Sequence, residues 1–462
     1  MIRRYRNFLV EIGGHLVAVF LPLFLNPYTH QSIELDKFQF FLWVTLGMLL
    51  VALVAFVMDV GEKKNRSKIW KFTSYRVKLL RENNPLLLPV LVYTAVYILA
   101  AAYSIDPASS WWGLNSAQGT ATVMCSILFF ILLVSAIQEK KQIDRLVTSL
   151  ILGSVPVAVY GWIQFLVYDP LDWVSGSISH VHATLGYSLF LGSYLVLIIP
   201  FSFGRLIAGW RGLRYSIWGY GIILFLQISC LLFTLARGAW VGITLGILLF
   251  IILLAYRWQR RNLVLVSVFV LFVSGLLFIV LNTGLTNSAV NRFEWLASPR
   301  IMQARAVSNN ERLVLWQHTL PMIASRPWLG YGPETFSSAF WRLYPDGTDT
   351  VLKSIDPWDP HNWFLYHLIA AGVAGFFAFV WLQVRFFTKG ISALRNYESQ
   401  FFQITTAAVL SAGAAYLIQA LFNPTAIAPA AIYWLVLAIG AMLSGGKLSK
   451  STERDSSIAN AG

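Results

Sequence analysis

The sequence predicts an all-α, polytopic transmembrane bundle of about 12 spans, with one large extracytoplasmic loop between spans nine and ten. Three observations predict it. The 462 residues are 57% hydrophobic and only 12% charged, against a charged share of ~25% in soluble proteins. Apolar runs long enough to cross ~30 Å of hydrocarbon recur along the whole chain. The charges gather in the short segments between those runs. Together these exclude a string of soluble domains. Open sheets are excluded within lipid, where every backbone polar group needs a partner in its own segment. A formal net charge of +14 would raise nucleic-acid binding in a soluble domain. Here most Lys and Arg fall on one side of the alternating spans, the positive-inside pattern, so the charge reports orientation and no nucleic-acid partner is expected. Cys125 and Cys230 lie inside apolar runs and read as small packed hydrophobes rather than a disulfide.

The basic start MIRRYR precedes a first span from about Phe8 to Leu25. Asn26-Pro27-Tyr28 reads as a turn and no small-residue cleavage site follows, so the span is retained with its N-terminus inside. Span two covers about Phe38 to Met58. The loop after it carries Lys63, Lys64, Arg66, Lys68, Lys71, Arg76, Lys78 and Arg81, which fixes it on the cytoplasmic side. Span three (about Pro85 to Tyr103) leads to DPASSWWGLNSAQG, whose Trp111 and Trp112 suit a membrane interface. Span four (about Thr120 to Ile137) returns to the basic QEKKQIDR; span five (about Leu146 to Val167) leads to the outer loop DPLDWVSGSISHVHA. Span six (about Leu185 to Phe203) ends at Arg205, Arg211 and Arg214. The stretch Tyr215 to Tyr256 is too long for one crossing. Its one charge, Arg237, marks the turn between spans seven and eight. Span nine is about Leu263 to Leu281; spans ten, eleven and twelve are about Trp363 to Phe387, Phe402 to Phe422 and Ala430 to Leu443. The chain therefore divides into spans one to nine (1–281), a large outer loop containing an amphipathic helix (282–362), spans ten to twelve (363–445) and a polar cytoplasmic tail (446–462).

Loops beyond ~15 residues in compact proteins are usually functional or disordered, so the long loop is where chemistry is expected. Arg237, in LARGAW, has two readings: an interfacial anchor, or an anion ligand facing the bundle, the second favoured by the small Gly238 and Ala239. Ser308-Asn309-Asn310-Glu311 has the spacing of a capping box. It predicts that Arg312 lies in the first turn of an outer helix, where free N–H groups and a forked guanidinium suit phosphate. The bland alternative is a solvated helix charge paired with Glu311. Asp359-Pro360 reads as cap and first helical residue, which places His361 in the first turn of span ten. That position favours a neutral ring able to accept a proton, against the alternative of a structural polar group; Asn362 is a candidate orienting partner. In Arg326-Pro327-Trp328-Leu329-Gly330-Tyr331-Gly332 the glycines serve backbone geometry in a tight turn. No P-loop and no metal-ligand spacing occur, so neither nucleotide nor metal is expected.

Taken together, ARGAW, NERLVLWQHTLPMIASRPWLGYGPETF and PHNWFLYHLIAAGVAG resemble the O-antigen ligase and polymerase superfamily. The resemblance covers roughly Thr234 to Gly375, with the overall topology. It implies a metal-independent, cofactor-free glycosyltransferase at the outer face of the cytoplasmic membrane; the alternation of spans puts both termini in the cytoplasm. Such an enzyme takes a glycan from an undecaprenyl-diphosphate carrier and passes it to a hydroxyl of a glycan, lipid A-core or protein acceptor. Carried over by motif, Arg237 and Arg312 bind the diphosphate and His361 acts on the acceptor hydroxyl, with Asn362, Glu311, Gly330 and Gly332 in support. Membrane lipid is the other expected partner. Two alternatives stand beside it: a transporter of a small anion such as bicarbonate, which would place polar groups and broken helices at the bilayer midplane, and a non-catalytic assembly factor.

Overall fold

The computed structural model describes residues 2–25, 33–61, 84–113, 118–166, 181–213, 215–258, 299–345 and 357–445, with the side chains of 2–3, 60–61 and 299–311 left aside. The described residues are helices joined by short turns, in the order α1 (Ile2–Leu23), α2 (Ile33–Gly61), α3 (Leu87–Ala102), α4 (Pro107–Trp112), α5 (Thr120–Ala136), α6 (Lys140–Leu166), a 3-10 turn at Ala183–Leu185, α7 (Ser188–Trp210), α8 (Ile217–Phe233), α9 (Arg237–Trp258), α10 (Pro299–Ser325), α11 (Phe336–Leu343), α12 (Trp363–Asn396), α13 (Gln400–Gln419) and α14 (Ile427–Ser444). Eight of them, α1, α2, α6, α7, α9, α12, α13 and α14, are long and apolar enough to cross a membrane. The apolar α3, α5 and α8 are shorter, at 16, 17 and 17 residues. The expected ninth span, the basic loop after α2, the DPLDWVSGSIS stretch and the C-terminal tail lie outside the described residues. So do parts of the long loop.

The bundle is ordered from a dry centre outward. In α7, α13 and α14 more than four-fifths of the apolar window is covered by protein, whereas in α2 the share is 22%. The exposed face of α2 carries Trp43, Leu50, Leu53 and Val57, an apolar surface that hydrocarbon solvates as readily as protein does. Phe41, Phe129, Tyr194, Tyr416 and Tyr433 are among the largest fully buried side chains. Cys125 and Cys230 are buried and unbonded, packed as small hydrophobes.

Polar side chains inside the bundle tie helix ends. Lys37 is fully buried at the start of α2, and its Nζ donates to the carbonyls of Leu21, Pro22 and Phe24 at 3.4, 3.2 and 2.9 Å. Those carbonyls lie at and just past the end of α1, where the helix supplies no further donors; Leu21 O also accepts the Phe24 N–H at 3.4 Å. Glu34, one turn earlier, accepts from the Ile427 N–H at 2.6 Å and so caps the first turn of α14. At the opposite end of the bundle Glu11 accepts from Arg145 (2.6 Å) and Gln142 (2.8 Å), joining α1 to α6. Asp144 pairs with Arg205, which also meets the Tyr215 hydroxyl. The Arg257 guanidinium donates to Tyr397 O at 2.9 Å.

Between α3 and α5 the short α4 is capped by Asp106, followed by Pro107 at the first helical position. Hydrogen bonds from Ser109 hold the Asp106 carboxyl below its ordinary range.

Candidate functional site

The segment Arg326–Phe336 does more than close a helix. α12 is interrupted at Gly372, whose φ is +63° and ψ −164°. Nine residues of helix separate Gly372 from Trp363, so the break lies about 13 Å along the axis from the start of α12. A break at that depth frees backbone donors and acceptors, which in a membrane must be paired internally. The PWLGYG loop pairs them. Tyr331 N donates to Ile369 O (2.7 Å) and Gly332 N to Ala370 O (3.1 Å). Val373 N donates to Pro327 O (2.7 Å) and Ala374 N to Trp328 O (3.3 Å).

The two segments approach so closely that a Cβ on Gly372 would lie 2.6 Å from Leu329 N and press on the Trp328 carbonyl. A Cβ on Gly330, whose φ is +68°, would collide with Ile369 O and Gly372 N. Gly332 packs on Ser104 and Ser110, and those hydroxyls donate to Tyr331 O and Pro333 O at 2.9 and 2.8 Å. The glycines serve backbone geometry, as the sequence predicts. The partner they approach, a broken span, was not legible in it.

This loop anchors a small second core. Leu315 and Met322 of α10 pack with Tyr331, with Phe336, Ala339 and Phe340 of α11 and with Ile369 of α12. It holds α10 against the bundle, and Trp316 Nε1 adds a hydrogen bond to Pro360 O at 2.8 Å. α10 begins at Pro299, not at Ser308. The S-x-x-E spacing therefore lies inside the helix, and Arg312 sits near its middle rather than in its first turn. Proline at the first helical position and the helix-favouring stretch that follows explain the earlier start. Arg312 therefore has no free N–H groups of a helix start beside it. What remains is its half-buried guanidinium, one helical turn before Trp316. The Glu311 side chain lies outside the described residues.

His361 also differs from its predicted place. The cap of α12 is Asn362, whose Oδ1 accepts from Phe364 N (3.0 Å) and Leu365 N (3.1 Å). Asp359 is not free to cap, because its Oδ1 accepts the His361 N–H at 2.6 Å. His361 therefore precedes the helix, with φ +52°. Its ring lies against Trp358, with centroids 5.3 Å apart, and its Nδ1 is 3.7 Å from Asp359 Oδ1. Asn362 thus acts through the helix start rather than as a partner of the ring.

Arg237 opens α9 immediately after a tight turn, as the break in the long apolar stretch predicts. Thr234 Oγ1 accepts from Ala236 N (3.1 Å), and Leu235 between them has φ +55°. Gly238 and Ala239 do not face a ligand. A Cβ on Gly238 would lie 3.0 Å from Phe422 Cβ and 3.3 Å from Asn423 Nδ2, and Ala239 is fully buried. The absent side chain of Gly238 lets α9 approach the turn between α13 and α14, while Ala239 faces Gly192 of α7.

That turn joins the predicted residues. Ala420 O, at its start, accepts the Trp363 N–H at 2.8 Å. A continuous series of contacts thus runs from Gly238 through 420–423 to Trp363 and His361, then from Pro360 to Trp316 and the helix of Arg312. Arg237, His361 and Arg312 belong to one end of the bundle. Among the described residues the non-glycine residues with positive φ are Ala183, Leu235, Glu334 and His361. Three of these four sit in or beside the motifs, and left-handed non-glycine backbone, costing about 1–3 kcal/mol, concentrates at functional sites.

Several participants were not singled out from sequence. Glu334 accepts the Gln118 N–H at 3.1 Å, and its own N–H donates to the Tyr366 hydroxyl at 3.2 Å. Gln118 Nε2 reaches Thr425 O at 2.7 Å. His367 is fully buried, bonded to Tyr93 OH (3.1 Å) and Trp363 O (2.7 Å) inside an aromatic cage with Phe379. It reads as a structural polar group. A lone polar residue in an apolar run gives no sequence signal of its partner. Among the described residues no group of His, Cys, Asp or Glu is placed to hold a metal ion.

Fold and site define a multi-pass helical membrane protein whose polar machinery is gathered at one end, beside a helix broken within the bundle and sealed by the Pro327–Gly332 loop. Residues 221–380 match the family model described as O-antigen ligase. Over that stretch, well under half of the chain but enclosing every motif above, the protein is similar to the O-antigen ligases, a family of polysaccharide biosynthesis. Comparison with curated proteins gives no match.

Proposed function

We propose that this protein transfers a glycan from an undecaprenyl-diphosphate-linked donor to an acceptor hydroxyl at the outer face of the cytoplasmic membrane, as a ligase or polymerase of surface polysaccharide. The observation that carries the reading is the gathering of Arg237, Arg312 and His361 at one end of the bundle through the 420–423 turn and the Trp316–Pro360 hydrogen bond. In the proposed topology of about 12 spans that end faces outward, with both chain termini in the cytoplasm. The positive-inside distribution of Lys and Arg supports this orientation.

The chemistry divides among these residues. His361 takes the proton of the acceptor hydroxyl while its oxygen forms a bond to the anomeric carbon of the donor sugar. The bond from that carbon to the phosphate oxygen breaks, and its electron pair leaves with the diphosphate. Arg237 and Arg312 neutralise the charge gathering on that leaving group, as preorganised donors do most effectively where water is excluded. The proton is released from His361 after the products part. A diphosphate is already a good leaving group, so guanidinium neutralisation and general-base help of ~10²–10⁴-fold form a sufficient scheme. A membrane bundle suits a donor whose polyprenyl chain remains in lipid.

The family description names a ligase and gives the transporter alternative no support. Among the described residues, the span broken at Gly372 is sealed by Pro327–Gly332 rather than lining an open path. The test is deletion followed by complementation with His361→Ala. At normal expression the variant should leave the deletion's surface-polysaccharide pattern unrestored on a gel. Full restoration removes His361 as the base. Whether lipid-attached glycan, chain length or protein glycosylation is lost names the acceptor.

A further inference from the structure

We propose that Asp359 is the positioning residue of the site, fixing the tautomer of His361 so that Nδ1 carries the proton and Nε2 is left to receive one. The inference rests on the reading of His361 as the group that deprotonates the acceptor. Three observations carry it. Asp359 is 3% exposed and already committed to this neighbour, because its Oδ1 accepts the His361 N–H at 2.6 Å. The same oxygen lies 3.7 Å from His361 Nδ1, which is itself buried and, among the described residues, has no hydrogen-bond partner. Finally, 18% of the His361 side chain remains exposed; with Nδ1 buried, that exposure belongs to other atoms of the ring.

A neutral imidazole carries one proton on one of its two nitrogens, and the nitrogen facing a carboxylate is the one that keeps it. The gap of 3.7 Å is longer than a hydrogen bond, and catalytic contacts commonly shorten when substrate binds. A carboxylate there also stabilises the imidazolium formed when the acceptor proton arrives. The backbone keeps the ring in reach. His361 is held left-handed at φ +52° by the Asp359 turn on one side and by the Asn362 cap on the other, so the side chain leaves the chain at a fixed angle. The competing explanation is that Asp359 merely closes this turn.

Asp359→Asn separates the two. The amide oxygen can still accept the His361 N–H and keep the turn. The same oxygen still faces Nδ1 but no longer carries charge, so the proton is held there less firmly and the ring relaxes toward the Nε2-protonated tautomer, which occupies the nitrogen meant to receive the acceptor proton. The expected result is a loss of ~10²–10⁴-fold in kcat with KM unchanged. In the folded protein, ¹⁵N imidazole shifts of labelled histidine, assigned by the resonance missing from His361→Ala, should move from the Nδ1-protonated to the Nε2-protonated pattern. An unchanged kcat in Asp359→Asn while His361→Ala is inactive overturns the inference and leaves the function standing. So does an imidazole pattern that the substitution does not move. An active His361→Ala instead overturns the reading on which the inference rests.

Discussion

Substituting Gly372 by alanine sets helix propensity against tertiary structure, with opposite signs. Gly372 lies inside a long apolar helix, where replacing glycine by alanine ordinarily stabilises by about 1 kcal/mol. In this fold the sign reverses. Its φ of +63° with ψ −164° is backbone adopted essentially by glycine alone, and costs an alanine about 1–3 kcal/mol. The new Cβ would sit 2.6 Å from Leu329 N and against the Trp328 carbonyl, so the loop must retreat. Retreat loosens four backbone hydrogen bonds, from Tyr331 and Gly332 to Ile369 and Ala370, and from Val373 and Ala374 to Pro327 and Trp328. At about 0.5–1.5 kcal/mol each they contribute roughly 2–6 kcal/mol. The net expectation for Gly372→Ala is destabilisation of several kcal/mol, together with loss of glycan transfer, because the same loop carries α10 and Arg312. The measurement is thermal unfolding of the purified protein in detergent alongside the surface-polysaccharide gel. A variant as stable as the parent, or more stable, would show that α12 is continuous and refute the broken-span account.

Arg312→Lys keeps the charge but loses the planar fork, so transfer should fall at least tenfold without a change in melting temperature; unimpaired transfer would mean that phosphate geometry is not what this position supplies. Lys37→Met leaves the Phe24 carbonyl without its donor, while Leu21 O retains the Phe24 N–H and Pro22 O the Thr184 hydroxyl. An unfilled acceptor costs about 1–3 kcal/mol, so the melting temperature should drop by a few degrees with the transferred glycan unchanged in kind. A shift within the error of the melt would make Lys37 a passive occupant of its site.

Much of the bundle could be read directly. Period and run length located the helices, and the lone charge in Tyr215–Tyr256 placed the turn at Arg237. The failures share one cause. Ser308 to Glu311 and Asp359-Pro360 each have the local form of a helix start, but a cap is chosen by competition among neighbours. Pro299 began α10 earlier. Asn362 capped α12 because Asp359 was held by the His361 N–H. Nothing local to Gly372 distinguishes it from any glycine within an apolar helix; its role depends on the loop Pro327–Gly332, some 40 residues earlier in the chain, lying alongside.

By itself, then, the sequence determined the class of protein, the apolar elements and the residue types able to bind an anion and accept a proton. Those follow from hydrophobic run length and side-chain chemistry, which each residue carries wherever it is placed. Tertiary structure alone decided that α12 is broken, that the PWLGYG loop satisfies the break, and that Asp359 faces the His361 ring. Backbone groups freed in an apolar medium must find partners, and which partners they find depends on segments distant in sequence meeting in space.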